Sequence, residues 1–98
     1  MGNIMLNIKE KTDFTFGAMR KGQKFKVSGL DKKSPEEIKE IRKRTGLSQP
    51  LFAMAMGVSV KTLESWEQGR NTPSGSAARL LEIIDMDTDI ISNFVQKL

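Results

Sequence analysis

The run Leu47-Ser-Gln-Pro-Leu-Phe-Ala-Met-Ala-Met-Gly-Val-Ser-Val-Lys-Thr-Leu-Glu-Ser-Trp-Glu-Gln-Gly-Arg70 leaves the chain few ways to fold. Ser48 is a good helix N-cap, and Pro50 falls in the first turn, where a missing N–H costs little. Phe52 and Met56 stand one turn apart on one face. Gly57 can take the left-handed conformation that ends a helix. Ser59 caps again two residues later, Leu63 and Trp66 give the second helix its apolar side, and Gly69 ends it. Ala53 is small enough for the second helix to cross closely over the first. Two short helices, a very tight turn and a second helix with a polar outer face make a helix-turn-helix. An ordinary helical hairpin is the competing reading, but it gives the short turn and the polar outer face no purpose.

Further helices surround that pair. Ser34, Pro35 and Glu37 form a capping box with proline in the first turn. Ile38, Ile41 and Thr45 then make the inward stripe of helix 1, flanked by Lys39, Arg42, Lys43 and Arg44, and Gly46 stops it. Helix 2 is expected over about Gln49 to Met56 and helix 3 over about Val60 to Gln68. Helix 4 starts near Ser74, with Ala77, Leu80, Leu81 and Ile84 on one face, and breaks at Asp85 to Asp87. Asp87 or Thr88 caps a fifth helix carrying Ile90, Ile91, Phe94, Val95 and Leu98. These last helices are more apolar than a small monomer needs. Ile83, Ile90, Ile91, Phe94, Val95 and Leu98 are therefore assigned to a self-associating surface, and a homodimer is expected.

Residues 1–33 read differently and are separated as an N-terminal arm from a domain over 34–98. The arm holds eight Lys/Arg against three Asp/Glu, whereas the rest of the chain holds eight against nine. The basic excess behind the net charge of +4 and the pI of about 9.6 thus lies in the arm. Such a segment can track phosphates or order on a protein partner. Ile4, Leu6 and Ile8 alternate, as do Phe14 and Phe16, and Lys24-Phe-Lys-Val-Ser28 alternates charged with apolar. A loose helix over Lys9 to Met19 competes with these strand signals. With no single period sustained, the arm reads as having little fixed structure of its own. Phe14, Phe16, Phe25 and Val27 are its candidate partner-binding residues, suited to adding a strand to another protein's sheet. The alternative is a small hairpin packed on the same domain.

Residue types absent from the chain narrow its chemistry. There is no cysteine, hence no disulfide framework or thiolate metal site. There is no histidine, the commonest general base and metal ligand. Glu36 and Glu37 sit at a helix start and read as capping and dipole complement. No catalytic residues, metal or cofactor are expected, and the chain is not read as an enzyme. No apolar run reaches the ~18 residues of a membrane span, and the N-terminus lacks a signal-peptide pattern. Met-Gly opens the chain, but Leu6 stands where a myristoylation motif wants Ser or Thr. A soluble, cytoplasmic protein with no membrane partner is expected.

Leu47-Ser-Gln, Phe52-Ala, Met56-Gly-Val-Ser, Leu63, Trp66-Glu-Gln-Gly-Arg, Pro73-Ser-Gly and Ala78-Arg-Leu-Leu together resemble the Cro/C1-type helix-turn-helix family. More narrowly they are similar to its HigA-like antitoxin branch. The likeness covers about residues 35 to 98, and no motif in the arm matches residue by residue. The resemblance implies an all-α, five-helix repressor-like domain forming a two-fold dimer on an operator in its own promoter. It also implies a bacterial setting and a small toxin partner of the HigB/RelE type, an mRNA-cleaving endonuclease. A phage- or plasmid-type repressor with no toxin partner is the rival.

In a helix-turn-helix the second helix enters the major groove with its N-terminal residues. Val60, Lys61, Thr62 and Ser65 are the candidates to meet double-stranded operator DNA. Lys61 can donate to guanine, Thr62 or Ser65 can hydrogen-bond a base edge, and Val60 can meet a thymine methyl. Glu64 can accept from cytosine or point at water. Ser59 with the N–H groups after it, and Arg70, are candidate phosphate contacts. Gln49 matches a phosphate-binding position of the family. Trp66 lies on the Leu63 side and reads as core. Arg42 and Glu67 border the inward stripes of helices that must cross, so the two can form a buried ion pair; the rival reading leaves both exposed, with Arg42 a phosphate contact. The family often pairs an arginine and a glutamate at matching positions.

Overall fold

Serine caps and glycine stops bound the helices, because each closes hydrogen bonds that the helix itself cannot. The structure is a computed structural model and describes residues 4–5, 13–17 and 24–98, with side-chain surroundings from residue 24 onward. Helix α1 runs Pro35–Thr45, α2 Gln49–Met56, α3 Val60–Glu67, α4 Gly75–Met86 and α5 Asp89–Ser92. Before α1, Ser34 Oγ accepts from the Glu37 N–H at 3.1 Å and Glu37 Oε1 accepts from the Ser34 N–H at 3.0 Å. That reciprocal pair is a complete capping box. Ser48 caps α2 through the Leu51 N–H, and Ser59 caps α3 through the Thr62 N–H.

Between α2 and α3 the chain turns through Gly57, whose φ is +79°. The Val58 N–H donates to the Ala53 carbonyl and the Gly57 N–H to the Met54 carbonyl, each at 3.0 Å. This is a Schellman motif, and it closes α2 in the shortest possible way before Ser59 opens α3. A Cβ at Gly57 would meet nothing within 4 Å. Gly57→Ala should therefore cost only the left-handed backbone penalty, about 1–2 kcal/mol, with Gly57→Asn milder. Chemical denaturation of the three proteins measures it, and equal stability of all three would contradict the turn's geometry.

The chain divides into a unit over Met1–Lys32 and one over Lys33–Leu98. In the second, α1 packs on α3, α4 and α5, and α2 packs on α3. Phe52, Ile38, Ile41, Leu63, Leu81 and Ile84 are fully buried, joined by Ala53, Met56, Trp66 and Ile91. On α4 the buried face runs through Ala78, Leu81 and Ile84, with Ala77 and Leu80 half-buried at its margin. No helix among the described residues is long and apolar enough to cross a membrane.

Two expectations change. The fifth helix is only four residues long, so Phe94, Val95 and Leu98 lie beyond it. Its Thr88 makes no side-chain cap, and Asp87 Oδ1 accepts from the Asp89 N–H at 3.0 Å. Ile91, assigned above to a self-associating surface, is only 2% exposed and belongs to the chain's own core. It retains no area to bury against a second copy. Ile83, Ile90, Phe94 and Leu98 remain exposed, and Val95 is half-buried.

In the N-terminal unit, β1 (Ile4–Met5), β2 (Asp13–Gly17) and β3 (Lys24–Val27) form an antiparallel sheet in the order β1-β2-β3. The arm thus carries paired strands where its sequence supports no sustained period. Phe14 stands opposite Val27 and Phe16 opposite Phe25. Directly opposed residues share a face, and alternate residues of one strand share it too. Register therefore gathers positions 14, 16, 25 and 27 on one face, and Phe25 and Val27 are exposed there.

Lys33 belongs by contact to the helical unit. Its side chain is 7% exposed, and its Nζ lies 3.1 Å from Asp85 Oδ2 on α4, while Arg44 pairs with the other carboxylate oxygen. Burial opposes ionisation of Asp85, but the bonds from Lys33 and Arg44 outweigh it and hold the carboxyl below its usual value of 3.8. A lowered folded-state value means stability that is present above the unfolded value and lost as pH falls through the folded one. Asp85→Asn should lower the neutral-pH melting stability modestly, by ~1 kcal/mol or less for so exposed a carboxylate. The gap to wild type should close on acidification through the carboxylate range, and a gap independent of pH would refute the assignment.

Candidate nucleic-acid interface

α3 splits along its length. Leu63, Trp66 and Glu67 face inward and are buried. On the other side Lys61 is exposed, and Thr62, Glu64 and Ser65 are half-buried. Val60 packs partly against the core, so only part of its surface is left to meet a base. Ser59 and Arg70, just before and after the helix, are exposed. The N–H groups of the first turn have no carbonyl within the helix to reach, and they carry the positive end of its dipole. This end of α3 therefore presents Lys61 and backbone donors together, which suits an anionic ligand.

The hydroxyls of this surface are not independent. Ser59 Oγ accepts from the Thr62 N–H at 3.0 Å and sits 2.8 Å from Thr62 Oγ1. One hydroxyl of the pair must donate to the other, which leaves one hydroxyl hydrogen to donate outward. Ser65 Oγ accepts from Asn71 Nδ2 at 2.8 Å, and its carbonyl accepts from the Arg70 N–H at 2.9 Å. Ser65 is thus an anchor for the loop after α3 as well as a base-edge candidate. Asn71 is the residue that sequence reasoning missed. It is exposed, and it keeps a second N–H and its carbonyl oxygen beside Ser65 and Arg70. Its signal was an amide residue directly after Gly69-Arg70, where the chain turns back.

Beneath this surface lies a charged network. Arg42 Nε donates to Glu67 Oε2 at 2.8 Å and Arg42 NH2 donates to Glu67 Oε1 at 3.1 Å. This bidentate pair is well sheltered, with the Glu67 side chain 4% and the Arg42 side chain 19% exposed. The hydrogen bond to Glu67, opposed by desolvation and helped by the carboxylate charge, raises the Arg42 pKa further above its already high value. Gln49, at the first position of α2, donates from Nε2 to Glu67 Oε1 at 3.1 Å. Its side chain is therefore turned partly inward rather than left wholly to a phosphate. Three helices meet at one carboxylate. Among the described residues no three His, Cys, Asp or Glu gather as metal ligands.

Residues 38–84 match the family model described as Helix-turn-helix. The chain is similar to Antitoxin HigA-2 of Vibrio cholerae, at 38% identity over 63 residues, which are 64% of this chain and 61% of that relative. It is also similar to the HTH-type transcriptional regulator YiaG of Escherichia coli K12, at 42% identity over 48 residues, 49% of this chain and 50% of the relative. The matches thus span between half and about three-fifths of the length of these curated relatives.

Proposed function

We propose that the chain, whose residues 38–84 match the Helix-turn-helix family model, is a DNA-binding protein of the Cro/C1 type and a HigA-like antitoxin. It binds an operator in its own promoter as a homodimer and neutralises a small HigB/RelE-type mRNA-cleaving toxin through its N-terminal arm. The observation that carries the DNA half is the free outer face at the start of α3. Lys61, one hydroxyl of the Ser59–Thr62 pair and unpaired helix N–H groups converge there. Arg70 and Gln49 flank this face as phosphate contacts, and Glu64 limits which bases are tolerated. The toxin half is supported by the likeness to Antitoxin HigA-2 and by the shared face of positions 14, 16, 25 and 27. For the dimer, Ile83, Ile90, Phe94 and Leu98 offer exposed apolar surface, with Val95 at its edge.

A second reading is a repressor with no toxin. It is favoured by the likeness to YiaG, a protein described only as a transcriptional regulator. A toxin-sized reading frame directly beside this gene separates the two readings.

Lys61→Ala together with Ser65→Ala should weaken binding to the chain's own promoter DNA at least tenfold, since a good base contact is worth ~1–3 kcal/mol. Circular dichroism should be unchanged. Promoter affinity equal to wild type at fixed salt would overturn this placement of the DNA surface.

A further inference from the structure

We infer that Glu67 is a positioning residue for DNA: by holding the Gln49 amide from beneath, it points the remaining N–H of Gln49 at a phosphate. The inference rests on the DNA-binding reading and deepens it, giving a buried carboxylate a part in backbone recognition.

Amide orientation is usually ambiguous, because the oxygen and nitrogen of a glutamine have the same shape. Here chemistry decides it. An ionised carboxylate only accepts, so the atom 3.1 Å from Glu67 Oε1 must be the amide nitrogen. Arg42, ion-paired with both carboxylate oxygens, fixes Glu67 in place. One N–H of Gln49 is thereby occupied, and the other is left to donate. Gln49 is half-buried at the start of α2, where the dipole also favours an anion. Without the carboxylate the amide can rotate and turn its oxygen outward, where a phosphate repels it. A free glutamine also loses rotamer freedom on binding, which Glu67 has already removed in the unbound protein.

The network separates stability from binding. Arg42→Met with Glu67→Leu replaces the ion pair by apolar side chains of similar size, which is often neutral for stability. It also leaves net charge unchanged, so long-range attraction to DNA is kept. It removes only the anchor of Gln49. A phosphate contact carries no sequence information, so a mixed-sequence duplex at low salt serves as the probe. Gln49→Ala should weaken binding about tenfold, the scale of one hydrogen bond to a charged group. The Arg42→Met/Glu67→Leu protein should weaken it by a similar factor while melting near wild type. Adding Gln49→Ala to that protein should cost nothing more.

Wild-type affinity in either Gln49→Ala or the double variant overturns the inference. Losses that multiply in the triple variant also overturn it, because they mean that Arg42 or Glu67 acts independently of Gln49. A wild-type chain that binds no duplex overturns the DNA-binding reading itself. One further measurement does not depend on the double variant folding. Nitrogen relaxation of the Gln49 side-chain amide in the free wild-type protein should show an ordered group, and an amide as mobile as an exposed glutamine's contradicts the anchor.

Discussion

Arg42→Met should unfold the helical unit far below the wild-type melting temperature, and further below it than Glu67→Leu does. Both substitutions break one pair, but they strand different charges. Without Arg42, the Glu67 carboxylate is left 4% exposed with one neutral donor, the Gln49 amide. Without Glu67, the Arg42 guanidinium is already 19% exposed on a long stem and can swing toward water. Breaking a buried pair costs ~3–5 kcal/mol, against at most ~1 kcal/mol for an exposed one. Arg42→Met belongs at the upper end of the first range and Glu67→Leu at its lower end. In a domain this small each kcal/mol moves the midpoint by about 4–8 °C, so even the milder variant should lose more than ~10 °C. The double variant should recover much of that loss, because neither charge is then left buried alone. Single variants with wild-type midpoints would show that the pair contributes no more than a surface contact.

Removal of residues 1–32 should abolish toxin neutralisation while leaving a folded protein that binds promoter DNA. Among the described residues the buried cluster draws every member from between Ile38 and Ile91, so the helical unit has a core of its own. Lys33 is kept in this truncation because its buried amine pairs with Asp85. The deleted stretch takes seven Lys/Arg and three Asp/Glu with it. DNA affinity should therefore fall less steeply with salt if the arm touches phosphates, and equally steeply if it does not. Co-expression with the product of a toxin-sized reading frame found directly beside this gene is the direct assay. Full protection by the truncated chain would remove the arm from the toxin interface, and loss of helical circular dichroism would make it part of the folding unit.

Much of the proposed DNA surface could be read from residues 47–70 alone. Lys61 is exposed and Trp66 buried because the apolar stripe of a single helix sorts its own faces. The limits of that logic show at Ser65 and Gln49. Ser65 stands on the outer side of the helix, yet its hydroxyl is held by Asn71 from the loop beyond. Gln49 is a phosphate candidate through the family resemblance, and the carboxylate it meets comes from a helix that begins eleven positions later. Periodicity ranks the faces of one helix. It does not say which side chain of a second element reaches across.

The same division runs through the whole chain. Helix starts and stops were determined by the sequence itself, since Ser34 with Glu37, Ser48, Ser59, Gly46 and Gly57 all act on atoms within about five residues. Such bonds form with the same partners in any fold that contains the helix. Tertiary structure alone decided the bond between Lys33 and Asp85, 52 positions apart, and the register that sets Phe14 opposite Val27. It also decided that Ile91 is core while Phe94 is 73% exposed, although both are large apolar residues near the same short helix. Each of these depends on where separate elements cross and how soon α5 ends. Crossing is set by the joint packing of every buried side chain, and no local pattern of charge or hydrophobicity carries that information.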